Sequence, residues 1–378
     1  MQSRSNAAMP PPISVAEAAL AQALAFAQAH ECPWPRDPAA VLPPGAVPWG
    51  VHHEDPAPYN RLRGPVHARG PQSGVLWQRG HELAAWGEPD RSDLTFSVAK
   101  TYLALLAGIA RREGLLPDLH RPVAEQLPGI GFDGPHNRRI SWAMLLEQTS
   151  EWEGECFGLP DQVDRWRKVA QDPRPAGGPK GGPRPLQTPG SYWEYNDVRI
   201  NQLALALLHL LRRPLPEVFL NEILRPLGGG EGFAWRGYED AWLELPGLGR
   251  VQSVPGGTHW GGGVSISARD QARVGQLLLD GGAHGGRQIL PRDWVSALSE
   301  PCAIAPFYGR LVWLNRDGRS FPAASTQAFF MMGAGGHVVW VEPAWQSVLV
   351  LRWFDGTRLP ALLQRFAAVL APEPQDRD

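Results

Sequence analysis

The stretch RSDLTFSVAKTYLALLAGIARREG, residues 91–114, decides the fold. From Ser97 onward apolar residues recur for about four turns and Gly114 supplies a stop, so the spacing predicts one helix that starts near Ser97. The Ser97 hydroxyl and the Lys100 amine, three residues apart, then share a helix face. Lysine is scarce: among 36 basic residues only Lys100, Lys168 and Lys180 are lysines and the rest are arginines. Where positive charge alone suffices, this chain uses Arg, so Lys100 is expected to do what a guanidinium cannot, namely accept or relay a proton. A serine hydroxyl is a weak nucleophile until a base takes its proton, and a desolvated lysine beside it is a candidate for that base. A helix-capping Ser97 followed by a solvated Lys100 is the plain structural alternative.

A second element lies at PGSYWEYNDVRINQLALALL, residues 189–208, where Tyr195, Asn196 and Asp197 stand directly before a long apolar helix. A phenol in that place can share a proton with Ser97 and Lys100, and Asp197 can accept a hydrogen bond from Lys100.

On these residues the chain resembles the serine β-lactamase and penicillin-binding-protein-like hydrolases, within them the class C β-lactamase and related esterase branch. The resemblance covers roughly residues 73–355: SVAK (97–100), RISWAMLLEQTS (139–150), PG with EYND (189–197), and GGGVSISARDQARVGQLLLDGG (261–282). It implies Ser97 as nucleophile, Lys100 as proton acceptor or relay, and Tyr195 as general base or acid. Two departures stand out. The family's Y-x-N ends here in Asp197, whose charge is expected to hold Lys100 as an ammonium and shift base catalysis toward Tyr195. The family's K-T-G or H-x-G strand motif falls within FFMMGAGGHVVWVEP (329–343), where Met331, Met332 and Gly333 replace the usual cation. The missing charge argues for a neutral or apolar acyl group and against efficient β-lactam hydrolysis. Ala334 and Ser97 are expected to supply the two N–H groups of an oxyanion hole. Trp152, Trp193, Met331, Gly333 and His337 are the expected substrate contacts.

The resemblance implies an α/β (α+β) fold, with a central antiparallel sheet built from both chain ends, flanked by helices and carrying a mostly helical insertion. The expected boundaries are 1–100 with 256–378 for the sheet domain and 101–255 for the insertion. The sequence itself agrees. Apolar runs at 73–78 and 83–87 read as a hairpin, and 310–315, 337–343 and 347–354 read as strands. Helices are expected at 198–213, at 269–281 and from Leu359, and a first helix is announced by the Ser14–Glu17 capping box. DPRPAGGPKGGPRP (172–185) reads as a loop.

Composition narrows the function classes. A formal net charge of −2 over 378 residues offers no broad basic surface, so neither a nucleic-acid nor an anionic-membrane partner is expected. Cys32, Cys156 and Cys302 are far apart with no C-x-x-C, and the N-terminus has no apolar signal core, so a cytoplasmic enzyme is expected. No cofactor or metal is expected. GIGFDG (129–134) lacks the strand and helix that a dinucleotide fingerprint needs, and VHHED (51–55) reads as a surface loop. The expectation is thus a serine hydrolase acting on small esters. An amidase or peptidase on small amides or D-amino-acid peptides, or an inactive binding protein on the same scaffold, are the alternatives.

Overall fold

The computed structural model describes residues 15–371; Ser14 of the expected capping box lies outside them. Helix α1 (Val15–Ala29) leads through an irregular wrap to strands β1 (Ser73–Gln78) and β2 (His81–Trp86). After helix α2 (Val98–Arg112) and a long middle region come helix α3 (Asp197–Leu211) and helix α4 (Ala268–Leu279). Strands β3 (Trp313–Leu314), β4 (Phe329–Gly333), β5 (His337–Glu342) and β6 (Ser347–Arg352) follow, and helix α5 (Leu359–Leu370) ends the described chain.

The six strands form one sheet in the order β3-β4-β5-β6-β1-β2. Every neighbouring pair is antiparallel, so the sheet joins both chain ends. The β6–β1 pairing that closes it sets Ser73 opposite Arg352 and Gln78 opposite Ser347. Because β5 and β6 are buried along their whole length, they read as continuous apolar runs rather than alternating ones. Helix α4 packs on one face, close enough that a Cβ on Gly275 would meet Val348 at 2.6 Å. On the other face the ring of Trp86 stacks on Phe366 of α5. Register carries those faces across to β4. Met331 and Gly333 point to the face of Val339 and Val350, shared with Val348, whereas Met332 points to the α5 face with Val338.

The segment from 101 to 255 is less helical than expected. It holds most of α2 and all of α3, yet residues 147–196 are largely loop, with small hairpins at 155–160 and 242–252. The boundary expected after Lys100 falls inside α2, which is buried on nearly every side and runs unbroken to Arg112. Only Trp313 and Leu314 of the expected 310–315 strand pair in the sheet, because Leu311 takes a left-handed backbone (φ +58°) that ends it. The cysteines are free and buried. Among the described residues no helix is long and apolar enough to cross a membrane.

Candidate active site

Ser97 stands at the first turn of α2 in a helical conformation and its side chain caps nothing. The capping alternative therefore does not describe it. Phe96, just before it, is left-handed (φ +50°), a conformation costly for a bulky residue unless packing holds it. The packing is a cage of rings: Trp34 at 5.4 Å, Trp49 and His337 at 5.8 Å and Trp353 at 5.9 Å between centroids. Turned this way, the chain buries Phe96 and leaves Ser97 as the partly exposed residue between buried neighbours.

Lys100 Nζ lies 2.8 Å from Ser97 Oγ, 3.2 Å from the Gly256 carbonyl oxygen and 2.5 Å from Asp197 Oδ1. Two of these contacts, to Ser97 Oγ and the Gly256 carbonyl, are hydrogen bonds, and the third is a close ion pair with Asp197. The same Nζ sits 4.7 Å from the centre of the Tyr195 ring, which places Tyr195 beside the Ser97–Lys100 pair. Tyr195 stacks on Trp313 at 5.4 Å, and its other cationic neighbour, Arg167, lies 5.2 Å from the ring centre. The residues before α3 are positioned by its start. Asn196 is the cap and accepts from the N–H groups of Val198 and Arg199, which leaves Asp197, the first helical residue, facing Lys100.

Glycines close in on Ser97 from two segments. A Cβ on Gly257 would lie 3.5 Å from Ser97 Oγ and 3.4 Å from Lys100 Nζ; one on Gly333 would lie 2.3 Å from the Thr95 carbonyl oxygen and 3.1 Å from Ser97 N. The end of β4 therefore abuts the amide of Ser97, with Ala334 the next residue. Among the described residues neither the Ser97 nor the Ala334 N–H has a backbone acceptor.

Asp197 is the hub of a buried ion network that the sequence did not announce. Its Oδ2 pairs with Arg167 at 2.7 Å and faces His259 Nδ1 at 3.3 Å. Burial pushes its carboxyl up, but Arg167, Lys100 and His259 outweigh that and hold it well below the usual carboxylate range. Asp164 accepts the backbone N–H of Asp197 at 2.7 Å and pairs with Arg167 at 3.1 Å. It too is depressed, against its burial, by Arg167 and Lys180. Asp55 accepts from Trp260 at 2.9 Å, lies 2.7 Å from His259 Nε2 and pairs with Lys180. The 51–55 stretch is thus not simply a surface loop: His53 and Glu54 are exposed, but Asp55 is buried in the wall of the site.

The expected substrate contacts divide. Gly333 adjoins the Ser97 amide. Met331 shares its face but is 1% exposed, closed within the core; the half-buried Met332 instead lines a cavity of about 390 Å³. His337 also borders that cavity, yet its ring is 1% exposed and packs on Trp353 at 4.4 Å, so its main work is to hold Phe96 and Trp353. Burial, then Arg352, keep it well below the ordinary imidazole range, as a neutral ring. Trp193 is buried one layer behind the surface, edge-on to Phe307 at 5.0 Å. Trp152 packs away from the cleft and donates to the carbonyl of Gly131, the central glycine of GIGFDG. A second cavity of about 1070 Å³, bordered by Phe307, Phe321 and Leu363, meets the first at Ala170, Gln171, Gly356 and Leu359.

A scan against protein families matches the beta-lactamase family over residues 89–354. A 6-aminohexanoate-dimer hydrolase of Paenarthrobacter ureafaciens is 30% identical over 102 residues, a match that spans 24% of this chain and 24% of that protein. The chain thus covers about a quarter of that relative's length. Among solved structures, a Bacillus anthracis protein assigned as a 6-aminohexanoate-dimer hydrolase aligns with a TM-score of 0.56 at 17% identity over 92% of this chain and 91% of that one. A family VIII carboxylesterase aligns with a TM-score of 0.55 at 17% identity, covering 79% and 92%. At these identities the structures speak for the fold, and the family match covers most of the chain, from just before Ser97 to the end of the sheet. The chain belongs to the beta-lactamase family.

Proposed function

We propose that the chain is a serine hydrolase that works through an acyl-enzyme on small carboxylic esters with a neutral or apolar acyl group. The observation that carries this reading is the 2.8 Å contact between Ser97 Oγ and a Lys100 Nζ whose other partners are Asp197 and the Gly256 carbonyl. Ser97 Oγ attacks the ester carbonyl, and the displaced electron pair rests on oxygen, held by the N–H groups of Ser97 and Ala334. Paired with Asp197, Lys100 acts as an ammonium, which has no lone pair to offer the Ser97 proton. That proton passes to Tyr195 reacting as its phenolate between the Lys100 and Arg167 cations. When the oxyanion collapses, Tyr195 returns it to the departing alkoxide, and the same phenolate then takes a proton from the water that releases the acid and gives it back to Ser97 Oγ. Two features support a neutral or apolar acyl group: Met331 stands where the family carries a cation, and the smaller cavity, which reaches Gly333, has Met332, Val338, Phe354 and Leu359 in its wall.

The match to a 6-aminohexanoate-dimer hydrolase favours a second reading, cleavage of small amides by the same residues. Intact-mass analysis after treatment with a fluorophosphonate, alongside hydrolysis of p-nitrophenyl acetate, p-nitrophenyl butyrate and the matching anilides, tests both. One adduct that disappears in Ser97→Ala, with ester turnover lost too, is the expected result. No adduct on folded wild-type protein overturns the reading, and anilide turnover matching ester turnover selects the second.

A further inference from the structure

We propose that Lys180 is a positioning residue for the Ser97 reaction: a cation built into the chain, seated in a cage with the dimensions of a metal site, that holds the charged wall behind Asp197 in place. The proposal rests on the hydrolase reading above. Asp55, Asp164 and His259 come from three distant segments, and each offers a ligand atom within 4.8 Å of the others. All three are at most 5% exposed. The ammonium of Lys180 pairs with Asp55, lies 3.2 Å from Asp164 Oδ1 and 3.5 Å from His259 Nε2. It arrives from the Pro/Gly loop and keeps 20% of its side chain exposed, so the cage is reached from solvent.

The choice of residue carries information in a chain that nearly always uses arginine. A planar guanidinium needs a wide, fork-shaped opening, whereas an ammonium is a compact point charge, as a metal ion is. The fit is incomplete in one respect: Asp164 Oδ1 and His259 Nδ1, both buried, lack a well-directed hydrogen bond. From the cage the contacts run to the reaction. Asp164 binds the Asp197 amide and Arg167, and Asp197 binds Lys100. Three carboxylates (Asp55, Asp164, Asp197) thus face three fixed cations (Lys100, Arg167, Lys180). Without Lys180 the cage carboxylates repel each other and draw Arg167 toward Asp164, away from Asp197, so Lys100 loses its place against Ser97.

The test compares wild type with Lys180→Ala, Lys180→Met and Lys180→Arg, measuring kcat and KM for p-nitrophenyl acetate and titrating each protein with Co²⁺ alone by its visible absorption. Lys180→Met is expected to lower kcat on the order of 10–100-fold with KM nearly unchanged. Lys180→Arg is expected not to recover it. Lys180→Ala is expected to bind Co²⁺ with a d–d band absent from wild type, to regain most of its kcat with the metal, and to lose both effects on adding Asp55→Asn. Unchanged kcat in folded Lys180→Met overturns the positioning role; no Co²⁺ band in Lys180→Ala overturns the cage. Should the variants fold poorly, refolding Lys180→Ala with Co²⁺ keeps the question open to the same band, whose absence from the refolded protein counts against the cage. If fluorophosphonate fails to label wild-type Ser97, the hydrolase reading falls, while the Co²⁺ titration still decides the cage on its own.

Discussion

Two buried ion clusters hang from the start of α3, and they are built from different cations. Around Asp197 the partners are Lys100, Arg167 and, through Asp164, Lys180. Around Glu151 they are arginines alone. Arg184 grips both Glu151 oxygens at 2.6 Å and reaches Glu194 at 2.7 Å, while Arg199 joins Glu151 at 2.7 Å to Asp161 at 3.1 Å, which Arg165 also holds. A guanidinium fork fixes a carboxylate in both distance and plane, so the second cluster freezes the loops at 148–194 into one arrangement. An ammonium fixes only distance and keeps three rotatable donors, one of which the first cluster spends on Ser97 Oγ. The cluster that orders the loops is held by arginine alone, whereas the cluster that touches Ser97 adds two lysines to Arg167.

Exchanging cations breaks or sharpens that contrast. Lys100→Arg keeps the charge and is expected to lower kcat on the order of 1000-fold or more and to abolish fluorophosphonate labelling, because the fork cannot sit among Ser97, Gly256 and Asp197. Activity within tenfold of wild type in steady-state assays would erase the distinction. In the other cluster, Glu151→Gln leaves two buried arginines to share Glu194 and Asp161 and is expected to destabilise the fold by about 3 kcal/mol in urea unfolding.

The acid limb of stability sharpens the same point. Burial pushes Glu151 up, but Arg184 and Arg199 bring it from 4.5 down to about 2. A carboxylate depressed in the folded state contributes stability that is whole above its unfolded value and is lost as pH falls toward the folded one. Melting temperature is therefore expected to drop between about pH 4.5 and 2 in wild type, and more gently in Glu151→Gln. Equal slopes would mean that Glu151 is not a principal acid-sensitive group. Gly333→Ala drives a methyl into the Thr95 carbonyl and the Ser97 amide, and is expected to lower kcat/KM on the order of 10–100-fold. A normal kcat/KM would remove the β4 end from the oxyanion site. The smallest effect is expected from Arg184→Lys, a loss of about 1–2 kcal/mol in stability with kcat within about twofold, since lysine keeps the charge and loses the fork.

That Ser97, Lys100, Tyr195 and Asp197 lie together was legible where the spacing is local. Ser97 and Lys100 are one helical turn apart, and Tyr195 and Asp197 are set by the helix start that Asn196 caps. The residues that were missed have no such signal. Arg167 and Lys180, His259, and Asp55 meet only because three segments at least 79 residues apart close on one another; the scarcity of lysine singled out Lys100 and not Lys180. Gly256 and Gly257 lie before the GGG stretch at 261, and nothing in their pattern says that they flank a nucleophile. Met331 went astray differently. Its register was correct, since it shares the face of Gly333, but register says which side a residue takes and not whether a helix covers it. Trp152 and Trp193 failed for the same reason, being close in sequence to the site and one packing layer removed from its surface.

The sequence by itself determined the helix that carries Ser97, the strands that close the sheet and the Ser97–Lys100 pairing, because helical and strand periods act over a few residues. Only the tertiary structure decided which charges surround Asp197, which tryptophans face the cleft, and that the Pro/Gly loop reaches the site through Lys180. Ion partners and burial follow from how distant segments pack, where a buried charge must find its counter-ion wherever the fold brings one.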